Sequence, residues 1–120
     1  MTELERLSLK LELRRLLTEA ARSRSTVRYA DLARAAQVPA PHTIHKTAEL
    51  LEELLREDHA AGRPLLAALA VSRRDDAIPA PGFFQLLTEL GRYSGADRGP
   101  AAAAAHRLEL EEAWTWWGRS

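Results

Sequence analysis

Four polar side chains stand close together after a proline pair: His42, Thr43, His45 and Lys46 follow Pro39 and Pro41. Side chains of these types donate and accept hydrogen bonds at phosphates and at base edges. Arg73 and Arg74, some thirty residues on, form a second basic point, and Arg28 beside Tyr29 a third. Arg34 adds a further cation near it. His42 and His45 also have the spacing of a metal pair on one helix face. A third ligand would have to come from His59, His106 or Glu49, none of which bears a fixed relation to the pair, so no metal is expected. Ser72 near Asp75 lacks a nucleophile motif and a paired base, and Asp75-Asp76 reads as a turn. No catalytic residue and no cofactor are expected.

The elements that must position these residues follow from periodicity. Residues 1–25 read as a helix capped by Thr2, with Glu3 and Glu5 at its positive end. Leu4, Leu7 and Leu11 lie on one stripe, widened by Leu9, Leu13, Leu16, Leu17 and Ala20. An apolar surface that broad has to meet more than one neighbour. Thr26-Val27-Arg28 suits a short strand. Residues 29–37 read as a short helix with Leu32, Ala33 and Ala36 inward, ended by Val38-Pro39-Ala40-Pro41. From His42 to about Ala61 a longer helix turns Ile44, Thr47, Ala48, Leu51, Leu54 and Leu55 inward and stops at Gly62.

Pro64 to Ser72, a nearly continuous apolar run, reads as a buried strand. Arg73 to Asp76 would turn it and Ala77-Ile78 return it, making a hairpin. Phe83, Leu86, Leu87 and Leu90 have helical spacing, and Phe83 and Phe84 belong to the core rather than to a base-stacking platform. After a Gly-, Asp- and Pro-containing linker, residues 101–117 form a last helix carrying Trp114, Trp116 and Trp117.

This order predicts a mainly α chain with a small β-hairpin. The expected fold is a winged helix-turn-helix of core 26–92, flanked by helices 1–25 and 101–117, in a single domain. The chain of 120 residues has no cysteine, which excludes disulfides and a thiol nucleophile. Its formal net charge is zero, so nucleic-acid binding has to come from local charge. The absence of a membrane-length apolar run and the leucine–charge alternation at the start lead us to expect a cytoplasmic protein.

Val27-Arg28-Tyr29-Ala30-Asp31-Leu32-Ala33-Arg34-Ala35-Ala36 resembles the V-x-Y-G-E-L-A-x-x-A segment of the DNA-binding domain of alkylguanine-DNA alkyltransferases and alkyltransferase-like proteins. Pro64-Leu65-Leu66 is similar to their P-I-L strand. The likeness spans roughly residues 25–80 and implies a shared winged-helix framework. In that family the tyrosine matching Tyr29 helps rotate a nucleotide out of the duplex. The Pro-Cys-His-Arg motif is absent, with Ala68 to Val71 in its place, so alkyl transfer is excluded. No arginine opens the second helix, where the family has its intercalating finger.

Two functions are expected from these features. The first is duplex DNA binding through Arg28, Tyr29, His42, Thr43, His45, Lys46, Arg73 and Arg74. Glu49, Glu52, Glu53, Glu57 and Asp58 oppose a helix laid flat in the groove and favour an end-on approach. The second is a homodimer or protein-partner module using Trp114, Trp116 and Trp117, because exposed tryptophan is a frequent interface anchor; the alternative is that these tryptophans close the core or cover the first helix.

Overall fold

The computed structural model describes residues 1–73 and 77–119. Among the described residues, five α-helices carry the structure, and a two-stranded sheet joins two distant parts of the chain. Helix α1 (Glu3–Arg22) starts in a reciprocal cap: Thr2 Oγ1 accepts from the Glu5 amide, and Glu5 Oε1 accepts from the Thr2 amide. Strand β1 (Val27–Arg28) leads without a loop into α2 (Tyr29–Ala35), whose Leu32 and Ala33 are buried, as is Ala36 at its C-terminal cap. A turn through Gln37 to Pro41 then reaches α3 (Thr43–Ala60). At its far end the Arg63 amide bonds to the Asp58 carbonyl and the Gly62 amide to that of His59. Gly62, at φ +72°, supplies the left-handed residue this closure requires.

The segment after α3 differs from expectation. Residues 65–71 are all buried, as a core strand would be, but Leu66–Leu69 is a 3₁₀ turn and only Ala70–Val71 forms strand β2. Continuous burial does not distinguish these forms. Asp58 Oδ2 takes the Leu66 amide, and His106 Nε2 donates to the Ala68 carbonyl at 2.8 Å. These side chains satisfy backbone groups that a ladder would otherwise have to pair. Ala67 and Ala68 are small enough for the tight turn to sit among α1, α3 and α5.

The expected hairpin is also corrected. β2 pairs in parallel with β1, Val27 opposite Ala70 and Arg28 opposite Val71. The intervening helices supply the long crossover that parallel strands need. Ala77-Ile78 is not a strand, although the Ser72 amide donates to the Ile78 carbonyl at 3.0 Å. The turn at Arg74 to Asp76 lies outside the described residues.

Helix α4 (Pro81–Glu89) buries Phe83 and Phe84, and α5 (Pro100–Trp117) packs on α1 and the 3₁₀ turn. Arg92 ties three elements together: it donates to His59 Nδ1 at 3.2 Å in α3 and to both Glu109 oxygens in α5. One inward assignment fails. Ile44 is 51% exposed, and the buried face of α3 begins at Thr47. The helical wheel assigns a face, but not how far along the helix its neighbours reach.

An ion-pair ladder fastens α1 to α3. Arg6 pairs with Glu53, Lys10 with Glu53 and Glu57, and Arg14 with Glu57 and Asp58. Three cations of α1, Arg6, Lys10 and Arg14, are thus spent on the acidic flank of α3. Burial pushes the Glu57 carboxyl up, but hydrogen bonds from Lys10 and Arg14 outweigh it and hold it below its ordinary 4.5. The hydrogen bond to Glu57 raises Lys10 above its ordinary 10.5. A depressed carboxylate stabilises the fold above its unfolded pKa and loses that contribution as pH falls through its folded one. A raised lysine does so below its unfolded pKa and loses it as pH rises. The melting temperature is therefore expected to hold between about pH 5 and pH 10 and to fall on either side. Thermal unfolding followed by circular dichroism across that range checks this, with Glu57→Gln flattening the acid limb.

Candidate nucleic-acid interface

The start of α3 is shaped by its turn. His42 caps the helix in the left-handed conformation, φ +59°, with no side-chain capping bond. His42 and His45 are exposed, and Thr43 is half-buried with its carbonyl taken by Thr47 Oγ1 at 2.7 Å. Lys46 Nζ donates to the Pro39 carbonyl at 3.0 Å, which fixes the turn against the helix. His45 Nε2 lies 2.9 Å from Glu49. His45 is thus committed to its own helix rather than to a ligand set shared with His42. Among the described residues, no group of His, Asp and Glu converges as a metal site.

Beside this helix start lies an open cleft of about 420 Å³. Arg28 and Tyr29 line it from the β1–α2 junction, Ile44 from α3, and Ser72 and Arg73 from the chain beyond β2. The parallel register brings the two arginines together: Arg28 sits opposite Val71, two residues before Arg73. Both arginines are exposed. Tyr29 is half-buried, and its hydroxyl oxygen accepts the Ala80 amide at 2.9 Å. That bond pins the return of the chain to the start of α2, so Tyr29 acts as a fixed wall of the cleft.

Asp31 also lines the cleft but pairs with Arg34 at 3.2 Å. Arg74 lies outside the described residues. Ile44 is the site residue that the sequence reading missed.

The acidic flank of α3 is neutralised in large part. Glu53, Glu57 and Asp58 pair with cations of α1, and Glu49 lies beside His45. Glu52 borders a small apolar pocket behind Tyr29, with Leu51, Leu55 and Phe83, and burial raises its pKa. Carboxylate repulsion along the later turns of α3 is therefore weaker than the bare sequence implies.

The tryptophans are built into the chain itself. Trp114 Nε1 donates to the Ser25 carbonyl at 3.0 Å, and Trp117 Nε1 to that of Pro64 at 2.8 Å. Arg24 lies 4.9 Å over the Trp114 ring. Arg14 and Arg63 each lie 5.8 Å from the centre of Trp117. Trp116 stacks edge-on against Trp117 at 4.7 Å, with Arg119 4.7 Å from its ring. All three indoles are half-buried.

Among the described residues, no helix is long and apolar enough to cross a membrane. No family model, curated protein or solved structure matches this chain.

Proposed function

We propose that this chain is a small non-catalytic DNA-binding protein of winged-helix type, which sets the start of α3 and the adjoining cleft against a duplex. The observation that carries the reading is the meeting of Arg28, Tyr29, Ile44 and Arg73 in one cleft beside the first turn of α3. His42, Thr43 and His45 stand at that helix start, whose free amides favour anions. The two arginines that line one cleft give it a cationic character, and Arg is well matched to phosphate. The strand–helix–turn–helix order agrees with the resemblance to the alkyltransferase DNA-binding domain. The neutralised flank of α3 supports an end-on approach, in which only its first turn enters the groove.

The test is anisotropy of a labelled mixed-sequence duplex across a salt series. Binding that weakens steeply with salt is expected, because each phosphate contact releases condensed counterions. Absence of binding at low salt would overturn the reading for duplex DNA. A protein-interaction module is the second reading. It is favoured by exposed leucines on α1 rather than by the tryptophan helix, whose indole N–H groups at Trp114 and Trp117 are already satisfied within the chain.

A further inference from the structure

Ile44 is an apolar side chain in polar surroundings. It is the second residue of α3 and stands 51% exposed. Neither the core nor the helix start accounts for it. The buried face of α3 begins three residues later, at Thr47. An apolar staple at a helix start uses the residue before the cap and the fourth of the helix, here Pro41 and Lys46. A lone exposed isoleucine is common, but this one borders the cleft that holds Arg28 and Arg73. Its polar neighbours are engaged within the chain. His45 lies against Glu49, and Lys46 bonds the Pro39 carbonyl. Thr43 is half-buried. In the first turn, Ile44 is therefore the side chain left to meet whatever the cleft receives.

We infer that Ile44 reads thymine, by packing on the C5-methyl group of that base in the major groove. This rests on the proposal that the first turn of α3 enters a duplex. Base edges in the major groove present hydrogen-bond donors and acceptors, with one apolar exception, the methyl group of thymine. Against the polar edges an aliphatic side chain displaces water without replacing its hydrogen bonds. Against the methyl group it gains apolar contact. Phosphate contacts fix the register of a protein on a duplex but carry no sequence information. Arg28 and Arg73 line the same cleft as Ile44, so arginines seated on phosphates bring Ile44 to the adjoining base edges. The division of labour follows from side-chain type: the arginines supply the salt-dependent affinity, and the uncharged Ile44 supplies the base preference.

Anisotropy with two labelled duplexes tests it: one of alternating adenine and thymine, the other with uracil in place of every thymine. Uracil pairs as thymine does and lacks only the methyl group, and in an alternating sequence every register offers the target base. The uracil duplex is expected to bind roughly three- to fivefold more weakly, the contribution of one buried methyl group. Ile44→Ala should bind both duplexes alike. It should keep the salt slope and far-UV circular dichroism of the parent, since the side chain is exposed and uncharged. Leu108→Ala, at an exposed leucine of α5, should retain the preference for thymine. Equal binding of the two duplexes by the parent chain overturns the inference and leaves DNA binding standing. A preference that survives Ile44→Ala overturns it too, by placing the discrimination elsewhere. Binding to neither duplex at low salt overturns DNA binding itself, and this inference with it.

Discussion

Replacing Asp58 with alanine is expected to cost about 3–5 kcal/mol of stability, the usual cost of breaking a buried charge pair from one side. Asp58 is fully buried in the last turn of α3, where the helix dipole disfavours an anion. Its carboxylate persists there because it is surrounded by donors. Arg63 Nε and Nη2 both approach Oδ1 at 3.0 Å, and the Leu66 amide bonds Oδ2 at 3.2 Å. Arg14 Nη1 is also 3.0 Å from Oδ1 but lacks hydrogen-bond alignment, so that contact is one of charge alone.

Both guanidiniums flank Trp117. A single carboxylate therefore links α1, α3, the 3₁₀ turn and the end of α5. Alanine would leave Arg63 without its carboxylate, Arg14 with Glu57 alone, and an unsatisfied Leu66 amide. Asp58→Asn should cost less, because its oxygen still accepts that amide. Arg14→Met should cost less again, because Arg63 remains on Asp58. Chemical denaturation of these variants measures the costs, and a double-mutant cycle between positions 14 and 58 isolates their coupling.

The helical elements were legible because each carries its own punctuation. Thr2 with Glu5, the two prolines before His42, and Gly62 each act over a few residues, and all three act where the sequence places them. What the sequence hid was pairing between distant segments. The run from Leu65 to Val71 announces burial but not its form. A carboxylate eight residues upstream, at Asp58, helps decide that form. The parallel partner of β2 lies more than forty residues away, across both helices of the central pair.

The ion-pair ladder was half visible. Basic residues at 6, 10 and 14 and acidic residues at 49, 53 and 57 share the same four-residue spacing. Read on each helix alone, both series look like solvated faces. Only their juxtaposition turns a repulsive flank of α3 into a neutralised one. The cleft was legible in its cations, Arg28 and Arg73, and hidden in Ile44, because exposure depends on where neighbouring elements end.

Neutralising Arg28 and Arg73 together, as Arg28→Gln with Arg73→Gln, is expected to lower duplex affinity roughly 10- to 100-fold near 100 mM salt. The same pair should reduce the slope of log affinity against log salt by about two, one for each lost phosphate contact. Both side chains are exposed, Arg28 at the end of β1 and Arg73 two residues beyond β2, so stability should stay within about 0.5 kcal/mol of the parent. The slope is the decisive readout, because a merely misfolded variant loses affinity without a defined change in it. Arg56→Gln serves as the comparison. Arg56 is exposed on the later part of α3 and paired with Glu89, so its removal should leave both affinity and slope unchanged. An unchanged slope in the double variant would exclude the cleft as the phosphate-contacting surface, whatever its effect on affinity. A slope reduced by about one would mean that a single arginine of the pair reaches the backbone, and the two single variants would identify it. A reduction by two would require both arginines on one duplex at once. The parallel β1–β2 pairing, which sets Arg28 two residues from the register of Arg73, would then be the structural feature that creates the site.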